Sequence, residues 1–115
     1  MATRLDIIQL AFRRLGIVAD DEAITSDQES YGGTVLDSVY AEIADECYPL
    51  WSLSDVPAAT THPLSNLLAV ELAPAYSRPA PATRGQAWRR VMATVRRNNI
   101  DEAVETTDRG AEAYY

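Results

Sequence analysis

The residues of this 115-residue chain that could carry chemistry are few, and the most reactive types occur once each. The only histidine, His62, falls in a predicted loop, so an imidazole-based triad or metal site would depend on it alone. The only cysteine, Cys47, lies on the apolar stripe of a predicted helix. That position favours a buried structural thiol over a nucleophile.

Carboxylates and glycines offer two further candidates for a site. Asp20 and Asp21 are adjacent and could bind a cation or act in glycan hydrolysis, but a solvated acidic loop is the ordinary interpretation. Gly32 and Gly33 lie inside a predicted helix and match no phosphate-binding motif. We therefore expect no enzymatic activity, no cofactor and no metal site.

Charge is divided unevenly along the chain. Between Leu15 and Ser77 there are eleven carboxylates and no basic residue, whereas between Leu72 and Ile100 there are six arginines and no acid. The two halves could neutralise each other within one monomer, or they could pair head to tail between copies, which forms a ring when the rotation closes. We expect the second, with a subunit interface drawn from Arg84, Arg89, Arg90, Arg96, Arg97, Asp20, Asp21, Glu22 and Asp37.

The bulk charge and hydropathy exclude several classes of protein. A net charge of −7 argues against a regulator that binds duplex DNA, because such a protein needs cations to displace counterions from phosphates. It is compatible with a surface that DNA must pass without sticking. No apolar run is long enough for a membrane span, and Asp6 interrupts the segment where a signal peptide would be apolar. We expect a cytoplasmically synthesised, single-domain protein with no membrane partner.

Apolar spacing predicts an all-α fold, a compact four-helix domain (residues 1–99) with an extended C-terminal arm (residues 100–115). The first helix begins at a capping box of Thr3 and Asp6 and ends at Gly16. The second begins at a capping box of Ser26 and Glu29 and stops before Pro49. The side chains expected to point inward from these helices are those of Leu5, Ile8, Phe12, Leu15, Leu36, Val39, Tyr40, Ile43 and Cys47.

Prolines divide the second half of the chain. Residues 52–62 are predicted to form a loop, and a third helix is predicted to carry Pro63 in its first turn and to bend or end at Pro74. A fourth helix is predicted from about residue 83 to 97, ended by Asn98 and Asn99. Their expected inward side chains are those of Leu64, Leu67, Leu68, Leu72, Tyr76, Trp88, Val91, Met92 and Val95.

The last sixteen residues contain five acids and little apolar periodicity. This pattern predicts an arm that is ordered only when it docks on a partner, although a frayed terminus remains the plainer alternative. Tyr114 and Tyr115 are the only aromatic residues after Trp88, and aromatic anchors carry much of the binding energy of interfaces. We expect docking through Ile100, Val104, Tyr114 and Tyr115.

Three segments together carry a resemblance to a known family. Residues 3–16 form a short helix that ends in an Arg-Leu-Gly turn. Residues 24–42 contain Ile-Thr-Ser-Asp-Gln-Glu and then Leu-Asp and Tyr-Ala-Glu, and residues 68–76 end in an Ala-Pro-x-Tyr turn. Over roughly residues 3–97 the chain resembles the head-to-tail adaptor proteins (head completion or tail accessory factors) of tailed bacteriophages, in particular short-tailed ones, and the related adaptors of gene transfer agents.

The resemblance implies a structural virion protein. Such adaptors form a ring of about twelve copies between the portal protein and a tail or neck protein, where they lengthen the channel for packaged DNA without binding it specifically. This chain departs from the family in its short connection between the second and third helices and in its brief tail.

Two other functions remain open from the sequence. A small acidic helical regulator or antitoxin-like binding module would explain the acidity as mimicry of DNA or of another partner. A wall-degrading enzyme is the third alternative, because some members of the family have been linked to cell-wall hydrolysis. The sequence places no pair of acids in a cleft that would support that activity.

Overall fold

The fold is all-α, as predicted, in a computed structural model that describes the backbone of residues 2–114 and the side chains of residues 2–103. Four helices follow one another: α1 (Arg4–Arg14), α2 (Ser26–Glu46), α3 (Ala58–Leu72) and α4 (Arg84–Tyr114), with a 3-10 turn at Ala73–Tyr76. Within the described backbone, extended pairing is limited to one antiparallel bridge between Ala2 and Val56. The prediction of four helices is therefore confirmed, although some of the helices begin or end at other residues than predicted.

The core is built around α3. Every residue from Pro63 to Val70 is buried, because this helix packs against α1, α2 and α4 and is apolar on nearly all sides. All buried residues of the core cluster lie between Ile7 and Val95. Among the residues whose side chains are described, those after Val95 (96–103) contribute none to that cluster.

Most of the predicted inward side chains are confirmed, and one is wrong. Leu5 is 39% exposed, whereas Ile7 and Ala11 are completely buried. The apolar face of α1 is therefore centred about one residue away from the predicted stripe, since residues 7, 8, 11 and 12 pack on α3 and α2. Tyr40, Cys47, Tyr76 and Trp88 are half-buried against the core.

The two N-terminal caps differ in how well the sequence predicted them. At α1, the Thr3 backbone N–H donates to Asp6 Oδ2 at 2.9 Å and the Asp6 N–H donates to Thr3 Oγ1 at 3.4 Å, which confirms the capping box. At α2 the prediction is off by one residue. Thr25 is the N-cap and exchanges hydrogen bonds with Gln28, at 2.9 and 3.2 Å, in place of Ser26 with Glu29.

The sequence contains two overlapping capping boxes, and the structure uses the one that begins at Thr25. Ile24 lies against the core directly before the cap, which fixes the direction in which the chain enters α2. Further along α2, Gly32 packs closely against α1, where an added Cβ would come within 2.8 Å of the Ile8 side chain. The close approach of α1 and α2 therefore depends on a glycine at this position.

We expect Thr25→Ala to lower the free energy of unfolding by about 1 kcal/mol, because it removes the hydroxyl that accepts from the Gln28 N–H. Ser26→Ala is the matched control and should change it by less than about 0.5 kcal/mol. Urea denaturation of both variants measures the difference. A larger loss for Ser26→Ala would show that the other capping box is used.

The third helix begins five residues earlier than predicted, at Ala58, so the second half of the predicted loop is wrong. Pro63 consequently lies inside the helix and leaves the carbonyl of Ala59, an exposed residue, without its helical N–H donor. Thr60 is buried and its hydroxyl donates to Thr94 Oγ1 on α4 at 3.2 Å. Tertiary packing on α4 therefore outweighs the proline as a start signal.

The predicted end of the fourth helix at Asn98 and Asn99 is wrong. The backbone of α4 continues to Tyr114, so the arm is a continuation of this helix. Of the residues expected to dock, Ile100 is 62% exposed, and the side chains of Val104, Tyr114 and Tyr115 lie outside the described residues.

Candidate interaction surfaces

Ion pairs along one seam join arginines of α4 to carboxylates of α2 and α3. Arg84 on α4 donates from Nε to Glu71 on α3 and from Nη2 to Glu42 on α2, both at 2.5 Å. The hydrogen bond to Glu71 is the main reason that the pKa of Arg84 lies above its ordinary value. The guanidinium also lies 5.2 Å from the centre of the Trp88 ring, close enough for a cation–π contact.

The seam continues one helical turn further along α2. Glu46 accepts from Arg96 Nη2 at 3.2 Å and from the indole N–H of Trp88 at 2.9 Å. On the other side of α2, Asp37 pairs with Arg4 at 2.7 Å. Three residues predicted for a subunit interface, Arg84, Arg96 and Asp37, therefore have partners inside the same chain.

The remaining predicted interface residues are not brought together within the chain. Arg89, Arg90 and Arg97 are exposed on α4, and none forms an ion pair with any described side chain. The connector between α1 and α2 exposes three consecutive acids that are likewise outside the ion pairs of the described residues: Asp20, Asp21 and Glu22. Charges of both signs thus remain available on separate elements.

The segments that carry the family resemblance meet around Tyr76. Its ring packs edge to face against Phe12 of α1, with ring centres 5.2 Å apart, and against Tyr31 of α2 at 6.1 Å. Burial is the main cause of a pKa above the ordinary value for the Tyr76 hydroxyl. The turns beside these helices use positive φ angles, 70° at Gly16 and 55° at Ser77.

The side chains with potential chemistry have structural surroundings. His62 is exposed, and its Nδ1 lies 3.2 Å from Arg14 Nη2. Cys47 is half-buried, with its Sγ accepting from Asn99 at 3.5 Å. Within the described part of the chain, no three His, Cys, Asp or Glu side chains are close enough together to hold a metal ion.

The sequence did not predict an exposed apolar segment after α2. Tyr48 and Leu50 are 71% and 62% exposed, on either side of the buried Pro49. Asn99 of α4 fixes their backbone, because its Nδ2 donates to the Tyr48 carbonyl at 2.9 Å and its Oδ1 accepts from the Leu50 N–H at 3.2 Å. The sequence feature that could have indicated this segment is Tyr-Pro-Leu-Trp at residues 48–51, which places three large apolar residues in a connector.

A groove of about 650 Å³ lies beside this segment. One wall is the connector between α2 and α3, and the other is the middle of α4 at Asn98 and Glu102. The connector is held from behind, since the Tyr40 hydroxyl donates to the Trp51 carbonyl at 2.7 Å and the two rings pack at 5.7 Å. Burial accordingly raises the pKa of the Tyr40 hydroxyl.

A comparison of the chain with known protein families, characterised proteins and solved structures finds no match. Among the helices of the described chain, none combines the length and the apolar character that crossing a membrane requires.

Proposed function

We propose that this chain is a structural virion protein, the head-to-tail adaptor of a tailed bacteriophage or gene transfer agent. The observation that carries the proposal is the convergence of three separate segments on Tyr76. These are the segments that resemble the adaptor family, and their contact gives the resemblance a common structural basis: a short helix, the start of a long one and an Ala-Pro-x-Tyr turn.

In this proposal, copies of the chain form a ring of about twelve in the neck of the virion, after synthesis in the host cytoplasm. The portal protein lies above the ring and a tail or neck protein lies below it. The excess of carboxylates suits a channel wall, because negative charge repels the phosphates of DNA that must pass without being held. No catalytic step is required of any residue.

The charges that lie outside the ion pairs of the described residues supply a contact between neighbouring copies. Arg89, Arg90 and Arg97 on α4 would meet the acids at residues 20–22 of the next subunit. Isolated surface ion pairs contribute only about 0–1 kcal/mol each. In a ring the same contact repeats at every interface, so small contributions add up around the whole assembly.

The proposal is tested by mixing the full-length chain with the cognate portal protein and imaging the product by electron microscopy. We expect a chain that is monomeric or weakly associated alone and forms a ring on the portal. Failure of the chain to bind the portal protein would contradict the proposal. Neutralisation of a toxin or displacement of DNA from a protein would instead support the acidic binding module.

Charge reversal distinguishes contacts between copies from contacts within one copy. Arg89→Glu combined with Arg90→Glu should prevent ring formation on the portal and change the free energy of unfolding by less than about 0.5 kcal/mol, since neither residue has an ion-pair partner among the described side chains.

Arg84→Glu is the matched comparison for this prediction. It should lower the free energy of unfolding by about 1 kcal/mol or more, because two carboxylates of the same chain would face a third negative charge. Thermal unfolding and portal-bound occupancy measure the two effects separately. If the variant carrying Arg89→Glu and Arg90→Glu shows a large fall in the free energy of unfolding together with the loss of rings, these arginines form their ion pairs within the monomer.

A further inference from the structure

The groove between the connector and α4 has the features of a site for an extended peptide segment. Leu50, Trp51 and Pro57 are the large apolar residues of a lining that is otherwise mostly polar, and the volume of about 650 Å³ is typical of ligand sites. The exposed carboxylate of Asp55 also lines it and forms no ion pair with any described side chain. An occupant should therefore combine apolar surface with a cation.

One segment of this same chain has that combination. Among the residues whose side chains are described, Arg78 is the only basic residue outside a helix. It begins the exposed sequence Arg-Pro-Ala-Pro at residues 78–81. Each proline fixes its own φ and holds the preceding residue in an extended conformation, so these four residues favour a polyproline II conformation before any binding occurs.

Polyproline II segments are commonly recognised by grooves lined with aromatic residues, because the ordered segment loses little entropy on docking. Trp51 lines the groove but is only 8% exposed, so the accessible aromatic ring of this connector is that of Tyr48, which is 71% exposed. A neighbouring acid suits an arginine at the end of such a segment. The extended shape of residues 78–81 and the positive charge of Arg78 therefore both suit this groove.

The segment and the groove of one molecule lie towards different ends of the ordered domain. Residues 78–81 precede the start of α4 at Arg84, whereas the groove borders α4 at Asn98, about 21 Å further along a helix that rises 1.5 Å per residue. The Arg78 backbone is also tied to the 3-10 turn, since its N–H donates to the Ala73 carbonyl at 3.0 Å. The contact must therefore join two copies.

We infer that residues 78–81 of one copy dock in the groove of the next, with the Arg78 guanidinium beside the Asp55 carboxylate. The contact uses different surfaces on the two partners and is therefore head to tail, the geometry from which rings are built. Its biological role rests on the proposed ring, but the contact itself is a property of the isolated chain and is measured without the portal.

The experiment is an NMR titration of the ¹⁵N-labelled full-length chain with a synthetic peptide of residues 76–83. We expect amide shifts confined to residues 50–58 and 98–102. Asp55→Arg should weaken binding of the peptide about five-fold, the ratio expected for one exposed ion pair. A peptide carrying Arg78→Asp should bind the wild-type chain equally poorly and should regain affinity for the Asp55→Arg chain.

Asp45→Arg is the matched control, since Asp45 is an exposed acid on α2 outside the groove. It should bind the wild-type peptide as the unaltered chain does. Absence of shifts at millimolar peptide overturns the inference, as do shifts mapped to another surface or an affinity that Asp55→Arg leaves unchanged. Asp55 is exposed, so this variant should keep the dispersed amide spectrum of the folded chain.

The outcomes also separate this contact from the proposed function. A chain that forms rings on the portal but does not bind the peptide would overturn the groove contact and leave the adaptor function standing. A chain that binds the peptide with the expected charge dependence but never binds the portal would support the contact and contradict the adaptor function.

Discussion

Deletion of residues 104–115 should reduce binding of the chain to the portal by at least about 100-fold. Under the proposed function this segment carries the anchors Tyr114 and Tyr115. A single aromatic hot spot contributes about 2 kcal/mol or more to an interface, which corresponds to more than ten-fold in affinity. Surface-immobilised portal and purified truncated chain provide the measurement.

The same deletion should leave the melting temperature of the domain nearly unchanged. The core cluster formed by the described residues lies between Ile7 and Val95, and the truncation removes none of its members. Far-UV ellipticity should fall in proportion to the helical residues removed from α4. The full-length chain with Tyr114→Ala and Tyr115→Ala is the control for the loss of helix. If the truncated chain still forms portal-bound rings at normal occupancy, residues 104–115 do not dock on the portal.

Phe12→Ala should lower the free energy of unfolding by about 3–5 kcal/mol. Phe12 is completely buried and contacts both the Tyr76 ring and the close-packed Gly32 on α2. Its removal leaves a cavity where α1, α2 and the 3-10 turn meet, and the rigid ring of Tyr76 cannot fill it without moving its own contacts. Urea denaturation measures the loss.

Leu5→Ala is the matched control for Phe12→Ala. Both residues belong to the apolar stripe of α1 that the sequence predicts, but Leu5 is 39% exposed. We expect this variant to cost less than about 1 kcal/mol. Equal losses for the two variants would mean that Leu5 is as buried as its spacing suggests and that α1 is rotated relative to the structure described above.

The helices of this chain could be predicted because their signals are local. The capping box of Thr3 and Asp6, the positive φ of Gly16 and the break at Pro74 each depend on a few neighbouring residues. Where two local signals compete, the prediction fails. Thr25 and Ser26 offer equivalent caps within one residue of each other, and the structure uses Thr25.

The candidate site was less predictable because charge spacing does not specify partners. The sequence indicates that acids and arginines occupy different halves of the chain, and it leaves their pairing open. The fold places Glu42 and Glu46 of α2 against Arg84 and Arg96 of α4, which neutralises part of the predicted interface internally. Arg89 and Arg90, one and two positions past Trp88, remain exposed because they lie on other sides of the same helix.

By itself the sequence determined the fold class, the number of helices, most of the core and the segregation of charge, since apolar periodicity and end signals act within a few residues. Tertiary structure alone decided which of the described arginines form ion pairs within the chain, where α3 begins and how α4 passes Asn99. In each case a long-range contact outweighs a local preference. Asn99 holds the Tyr48–Leu50 backbone with its side chain while its own backbone stays helical, and this contact forms one side of the groove.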